Sequence, residues 1–353
     1  MNKILTMTFF ILFFSTTTRP QQLFRVMSYN VENLFDATDD PLKEDNDFLP
    51  SGSRHWTNGR YYHKLQQIAK VITAAGEWDT PALAGLCEVE NDSVLIHLLR
   101  RTPLKQQHYR YCMTHGSDKR GINVALLYQR DKFGYAGHTE YPVRFSRKEH
   151  KPTRNILHAW GKIITGDTLD VFVCHFPSRY GGEKESETGR FDAARTLRSL
   201  YDSLQRVRIH PLILIMGDFN DTPEDRSITE FLAACPFGQK QRQSAPPVPL
   251  LFNLFTGPGK SNHPGTHKYQ GEWNQLDQLF ISANLADTTA SMQLIPESRR
   301  IFNADFLLVN DKTWRGKRPC RTYYGYKYEG GYSDHLPLLA DFRITVPPSH
   351  KTK

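Results

Sequence analysis

The chain has 353 residues, 39% of them hydrophobic, which suits one large domain or two small ones. Its net charge of +8 and isoelectric point of about 9.1 favour polyanionic partners such as nucleic acid, phosphoesters or an anionic membrane surface. Five cysteines, none at metal-site spacing, argue against a disulfide framework and against a zinc site.

Residues 1–20 read as a secretory signal, with Lys3 ahead of an apolar stretch at 4–14 that is too short to span a bilayer comfortably. No Cys follows that stretch, which argues against a lipoprotein, and no later run is long and apolar enough for a transmembrane helix. The expectation is an exported monomer with one domain over 23–345 and a tail at 346–353. FRVMSYNVENLF (24–35) opens as a strand. RYYHKLQQIAKVITAA (60–75) is helical, with Leu65, Ile68, Ala69 and Ile72 on one face. TPALAGLCEVE (80–90) is a buried strand, and VLIHLLRR (94–101) is a helix. Strands follow at 109–113, 122–128, 156–164 and 169–176. A long helix over 186–207 carries Phe191, Ala194, Leu197, Tyr201 and Leu204 on one face. PLILIMGDF is a strand, a helix follows near 227–234, and QLDQLFIS (275–282) and HLPLLADFRI (335–344) are strands. Cys87 and Cys174 end apolar runs and read as small buried hydrophobes. Two segments lack a clear pattern: 239–249, rich in Gln and Pro, and 310–329, which is basic and aromatic. Strands that mostly follow one another directly imply packed sheets flanked by a few helices, not a doubly wound fold.

Polar residues recur where apolar strands stop. Asn30 and Glu32 follow FRVMSY, Glu88 follows ALAGLC, His175 follows LDVFVC, and Asp218 and Asn220 follow LILIMG. Asp277 lies within QLDQLF, and Asp334 and His335 precede LPLLADF. A carboxylate beside a buried strand is costly unless it is paired, hydrogen-bonded or metal-bound. One such residue is usually a turn or cap; six such places imply strand ends converging on one site. Carboxylate and amide oxygens are hard ligands suited to Mg²⁺, Mn²⁺ or Ca²⁺. Two histidines beside carboxylates can exchange protons near neutral pH. These are the parts of metal-assisted phosphoester hydrolysis.

SYNVENLF, CEVEN, CHFPS, MGDFND, QLDQLF and YSDHLP, in this order, resemble the motif series of the endonuclease/exonuclease/phosphatase superfamily. That superfamily includes pancreatic-type deoxyribonucleases, apurinic-site endonucleases, inositol polyphosphate phosphatases and bacterial sphingomyelinases. HFPSRYGGEKESETGRFDAAR and GGYSDHLPL further resemble a bacterial branch seen in Bacteroides-type genomes. The resemblance implies an α/β fold of the DNase-like kind: a four-layer α/β/β/α sandwich of two mainly antiparallel sheets flanked by helices. It also implies Mg²⁺, with Mn²⁺ or Ca²⁺ as substitutes. Carried over by motif, Glu88 is the principal metal ligand, with Asn30, Asp334 and Glu32 as further candidates. Asp218 orients or deprotonates water, Asn220 holds a phosphoryl oxygen, and Asp277 orients His335. His175 assists the leaving oxygen or the phosphorane; its carboxylate partner is not identifiable, with Asp118 and Asn123 as guesses. Arg154 and Arg179 are candidate phosphate ligands, and Arg120 and Arg190 also lie near motifs. Asp221 is expected to be a cap or loop residue. Charge and the 310–329 segment favour a nucleic-acid phosphodiester as substrate. A sphingomyelinase-like or inositol- or sugar-phosphate activity is the alternative, and a catalytically inactive binding module is a weaker one.

Overall fold

The computed structural model describes residues 21–147, 150, 152–239, 249–256 and 263–345. The expected signal segment, the tail and most of the 239–249 loop lie outside the described residues. In chain order the elements are β1 (Gln21–Leu34), α1 (Asn58–Gly76), β2 (Leu83–Val89), α2 (Asp92–Arg100), β3 (Tyr109–Met113), β4 (Asn123–Gln129), β5 (Gly134–Tyr141) and β6 (Ile156–Lys162). They continue with β7 (Thr168–His175), α3 (Glu183–Val207), β8 (Leu212–Asp218), β9 (Cys235–Pro236), β10 (Leu251–Asn253), β11 (Asp277–Ser282), α4 (Ala283–Ala286), β12 (Met292–Leu294), β13 (Arg300–Ile301) and β14 (Leu338–Thr345).

One sheet runs β12-β14-β1-β2-β4-β3, with β13 also on β14; the other runs β5-β6-β7-β8-β11-β10-β9. Neighbours are antiparallel except β1–β2, β7–β8 and β9–β10. The sheets pack face to face, with α1 and α2 against the first and α3 against the second, making four layers. Period-2 alternation in β8 shows how. Leu212, Leu214 and Met216 join the core between the sheets, while Ile213 and Ile215 join the core under α3. Each such side chain, fully buried, contributes about 1.5–3 kcal/mol. The sheets approach closely at Gly85, where a Cβ would come within 2.5 Å of the Met216 sulfur.

The same alternation aims the polar strand ends. His175 keeps the parity of Leu169, Val171 and Val173; Asp218 keeps that of Met216; Asp277 keeps that of Leu279 and Ile281. All three therefore point into the space between the sheets, and the register sets His175 and Asp277 directly beside Asp218. From the opposite sheet, Asn30 lies level with Cys87, whose thiol reaches the Cys174 carbonyl at 3.3 Å. Two irregularities then re-aim acids: the β2–β4 register shifts between Cys87 and Val89, and the β1–β2 register between Asn30 and Leu34. Glu88 and Glu32 sit in those shifts with left-handed backbone, φ 65° and 52°.

Several elements differ from the expectation. The strand β5 carried no clear apolar signal because it is an exposed edge. The helix expected near 227–234 is a single π-helical turn, Ser227–Phe231. The patternless 310–329 segment contributes to two small hairpins, Leu308–Asn310 with Lys317–Pro319 and Tyr323–Tyr324 with Lys327–Tyr328. The five cysteines are free thiols, with Cys87 and Cys174 buried as expected.

Gly217 is the residue that lets β8 deliver Asp218. Its φ is +143°, and a Cβ there would lie 1.9 Å from the Cys174 carbonyl oxygen. Gly217→Ala is expected to cost about 2 kcal/mol or more, read as a lower denaturation midpoint. Gly59→Ala, in the first turn of α1 with only Thr57 Oγ1 nearby at 3.8 Å, is the control and is expected to cost nothing.

Candidate active site

The strand ends meet around Asp218, which is buried. Its Oδ2 accepts from Asn30 Nδ2 at 3.0 Å, and its Oδ1 accepts from the Asn220 backbone N–H at 2.9 Å. His175 Nε2 stands 3.5 Å and His335 Nε2 3.9 Å from Asp218 Oδ2. Asn30 is itself fixed, because its Oδ1 accepts from the Glu32 N–H at 2.9 Å. The Asn220 side chain donates to the Phe176 carbonyl at 3.1 Å, which leaves one amide hydrogen available. Asn220 also has left-handed backbone, φ 51°, which Asn tolerates better than most residues.

His335 Nδ1 bonds Asp277 Oδ2 at 2.7 Å, as the motif resemblance implied. Burial opposes charge on His335, but Asp277, Asp218 and Asp334 outweigh it and hold its pKa well above the usual histidine value. His175 shifts the other way. Burial, then Arg154, Arg120 and His335, push it well below the usual value, and its Nδ1 has no partner. The two histidines are therefore unlike: one an imidazolium braced by a carboxylate, the other a neutral ring. Neither guessed partner of His175 is beside it. Asp118 pairs with Arg154 at 3.3 Å, and Asn123 caps the Glu90 carbonyl at 2.8 Å. The carboxylates near His175 are Asp218 and, at 4.0 Å, Glu88.

Glu88 accepts from the Asn33 N–H at 2.7 Å through Oε2. Among the described residues no Lys or Arg comes within 4.0 Å of Glu88, Asp218 or Asp277; their only ionisable partners at that range are the two histidines. Asp277 Oδ1 is buried without a partner. Three carboxylates whose basic neighbours within 4.0 Å among the described residues are histidines alone, all hard oxygen donors, fit a divalent cation. Among the described residues, the groups whose ligand atoms all lie within 4.8 Å of one another are Asp218–Asp277–His335 and His267–Asp334–His335, and Glu88 belongs to neither. In both groups His335 bonds Asp277 through Nδ1 and keeps Nε2 open, and in the second Asp334 is paired with Arg321 at 2.6 Å. Glu88 keeps a carboxylate with no Lys or Arg nitrogen within 4.0 Å among the described residues, although Lys64 and Arg154 both act on it from further away.

Glu32 and Asp334 lie on the far side of the same cleft. Glu32 accepts from the Thr322 N–H at 2.7 Å and faces Arg321 at 3.3 Å and Lys64 at 3.7 Å. Burial first, then Asp334, raise the Glu32 pKa, while Lys64 and Arg321 pull it down. For Asp334, burial pushes upward, but Arg321, His335 and His267 prevail and lower its pKa. The two arginines expected at phosphate are both engaged with protein. Arg154 is buried and donates to the Phe176 carbonyl at 2.5 Å. Arg179 reaches Asn220 O at 2.7 Å, Asp221 at 3.1 Å, Asp225 at 2.6 Å and Glu183 at 2.9 Å. Both brace the loops that carry His175 and Asn220. Asp221 is a buried loop lock between Arg190 at 2.7 Å and the Ser227 hydroxyl at 2.6 Å.

Sequence reasoning missed Lys64, Arg321 and His267. Lys64 sat in plain view as a charge within the apolar stripe of α1; it donates to Thr322 Oγ1 at 2.5 Å and the Tyr332 carbonyl at 2.6 Å. His267 stacks 4.7 Å from His335, and nothing in PGTHKY signals that.

Residues 25–343 match the family model described as Endonuclease/Exonuclease/phosphatase family. The chain belongs to the endonuclease/exonuclease/phosphatase family. Solved structures share its fold at low identity. An endonuclease/exonuclease/phosphatase family protein from Bacteroides thetaiotaomicron is 15% identical with a TM-score of 0.57, over 92% of this chain and 99% of that one. A mannosyl-6-phosphatase from the same species is 16% identical with a TM-score of 0.56, over 90% and 99%. D. rerio TDP2 complexed with a single-strand DNA product is 14% identical with a TM-score of 0.53, over 91% and 98%. No curated protein matches the sequence. Enzymes of this family are phosphoric ester hydrolases and generally depend on a divalent metal, in keeping with the uncompensated carboxylates at this site.

Burial drives the Asp218 carboxyl up to about 7, with His335 pulling it down and Asp277 adding to the rise. The folded state then holds this proton more tightly than the unfolded chain, whose carboxyl titrates near 3.8. Metal-free stability should fall as pH rises through that window, from about 4 to about 7. Asp218→Asn removes the group. The midpoint of EDTA-treated wild type, measured relative to Asp218→Asn, is expected to drop across the window; a difference that stays flat would count against the assignment.

Proposed function

We propose that this protein is a divalent-metal-dependent phosphoesterase that hydrolyses a P–O bond with water. The observation that carries the reading is the convergence of Glu88, Asp218 and the Asp277–His335 pair, with no Lys or Arg within 4.0 Å of the three carboxylates among the described residues. Mg²⁺ is the proposed ion, with Mn²⁺ or Ca²⁺ as substitutes; Glu88 would hold it, with Asn30 alongside. Bound there, the ion supplies Lewis-acid stabilisation of the phosphoryl oxygens. Asp218, aligned by Asn30 and Asn220, accepts a proton from the attacking water. The His335 imidazolium, braced by Asp277, stabilises charge developing on the phosphorane. Neutral His175 and the available amide hydrogen of Asn220 donate to phosphoryl oxygens. The leaving oxygen takes its proton from solvent.

For the substrate, a compact phosphoester fits better than a nucleic-acid backbone. Four cations near the site that could track a polyanion are paired: Arg154 with Asp118, Arg179 with Asp221, Arg318 with Glu329 at 2.8 Å, and Lys268 with Asp311 at 3.1 Å. Paired charges contribute little to a salt-dependent phosphate grip. The mannosyl-6-phosphatase among its structural relatives is in keeping with this choice. The net charge of +8 and the DNA-bound TDP2 relative favour the second reading, a nuclease-like phosphodiesterase.

A panel of sugar phosphates, inositol phosphates, plasmid DNA, RNA and sphingomyelin, each with Mg²⁺, Mn²⁺ and Ca²⁺, tests both. Hydrolysis is expected with a small phosphoester, to be abolished by EDTA, and to fall by about 10²–10⁴-fold in Glu88→Gln and His335→Ala. Full activity in either variant would overturn the assignment, and cleavage of DNA alone would select the second reading.

A further inference from the structure

A cleft of about 170 Å³ opens beside the site, lined by Glu32, Asn33, Phe48, Arg54, Arg321 and Tyr323 among others. Its inner wall touches the catalytic centre, since the Asn33 N–H holds Glu88 and Arg321 bridges Glu32 to Asp334. Its outer wall carries Arg54, which has no carboxylate within 4.0 Å among the described residues. The guanidinium lies over three aromatic rings, Tyr323 at 5.0 Å, Phe48 at 5.4 Å and Tyr326 at 5.7 Å. Of its three nitrogens, Nη1 donates to the Gly325 carbonyl at 3.0 Å, while among the described residues Nε is buried without a partner and Nη2 makes no hydrogen bond.

The loop beneath is held in place. The Arg54 carbonyl accepts from Arg60 at 2.7 Å and from the Tyr323 hydroxyl at 2.8 Å. The buried Trp56 donates to the Phe35 carbonyl at 3.0 Å. The guanidinium is thus pre-positioned, and little ordering is lost when it takes a ligand. Glu32 does not cancel it, because Arg321 and Lys64 already face that carboxylate. With Glu32 and Asp334 set against Arg321, Lys64 and Arg54, the cleft keeps one positive charge in excess.

We propose that this cleft binds a second anionic group of the substrate, a phosphate other than the one hydrolysed, with Arg54 as its principal ligand. The inference rests on the phosphoesterase reading and narrows its substrate class to bisphosphates. A planar guanidinium forks onto phosphate oxygens, and the ring contacts hold its plane. The bearer can be a sugar or a nucleoside.

The test pairs glucose monophosphate with glucose bisphosphate, and adenosine monophosphate with adenosine bisphosphate. Turnover is measured on the wild type with Mg²⁺, and calorimetric binding on His335→Ala, where the ligands persist. In one series the bisphosphate is expected to bind about tenfold tighter or more, the size of one charge-assisted hydrogen bond. Arg54→Gln, made in the same background and checked for an unchanged denaturation midpoint, should bring that ratio close to one, and Arg54→Lys should restore part of it. The preferred series identifies the bearer. No preference in either series, or a preference that survives Arg54→Gln, overturns the inference. Binding preference without any turnover would instead sink the phosphoesterase reading while the cleft stands; turnover without preference sinks the cleft alone.

Discussion

A carboxylate held where two sheets meet, out of water and with no Lys or Arg within 4.0 Å among the described residues, constrains the rest of this molecule. Asp218 ends a strand whose other side chains are all buried, so it cannot swing out to solvent. Its oxygens are tied to Asn30 from the opposite sheet and to Asn220 from the following loop. Moving either sheet by even an ångström would break one of these bonds and leave a buried charge unsatisfied, which costs several kcal/mol. The close contact of Gly85 with Met216 is what fixes that spacing.

The remaining features follow from this constraint. Gly217 has the one side chain compatible with the turn the strand takes into Asp218. Glu88, Glu32 and Asn220 accept left-handed backbone at a cost on the order of 1 kcal/mol each. Such strain persists where surrounding structure over-determines it, here two layers of fully buried aliphatic side chains. Around the strained centre the charges are sorted: among the described residues Glu88, Asp218 and Asp277 have histidines but no Lys or Arg within 4.0 Å, while Glu32, Asp334, Asp118 and Asp221 have arginines. Stability is given up at the first set and recovered at the second, as expected where a site must bind a cation and a phosphate together.

Most strands and the polar residues that end them were legible, because alternation and motif order are local properties. PLILIMGDFND and QLDQLF each carried both a buried strand and its polar end, YSDHLP leads into the strand Leu338–Thr345, and Asp277–His335 pair as the motifs implied. The pairing of charges was not legible. Arg154 and Arg179 look like phosphate ligands in a linear reading, yet both are paired with carboxylates that lie 36 and 42 residues away. Lys64 and Arg321 meet Glu32 only through the tertiary fold, Lys64 from the following helix α1 and Arg321 across a separation of 289 residues. The strand β5 escaped for a different reason: an exposed edge has no buried face to write into its sequence.

The central claim, that Glu88 anchors a divalent cation at the junction of the sheets, is tested most directly by anomalous diffraction from crystals soaked in Mn²⁺. The expected result is a peak bonded to the Glu88 carboxylate, in the space shared with Asn30 and Asp218. A peak held by His267 and Asp334 with Glu88 free, or no peak at saturating Mn²⁺, would contradict it.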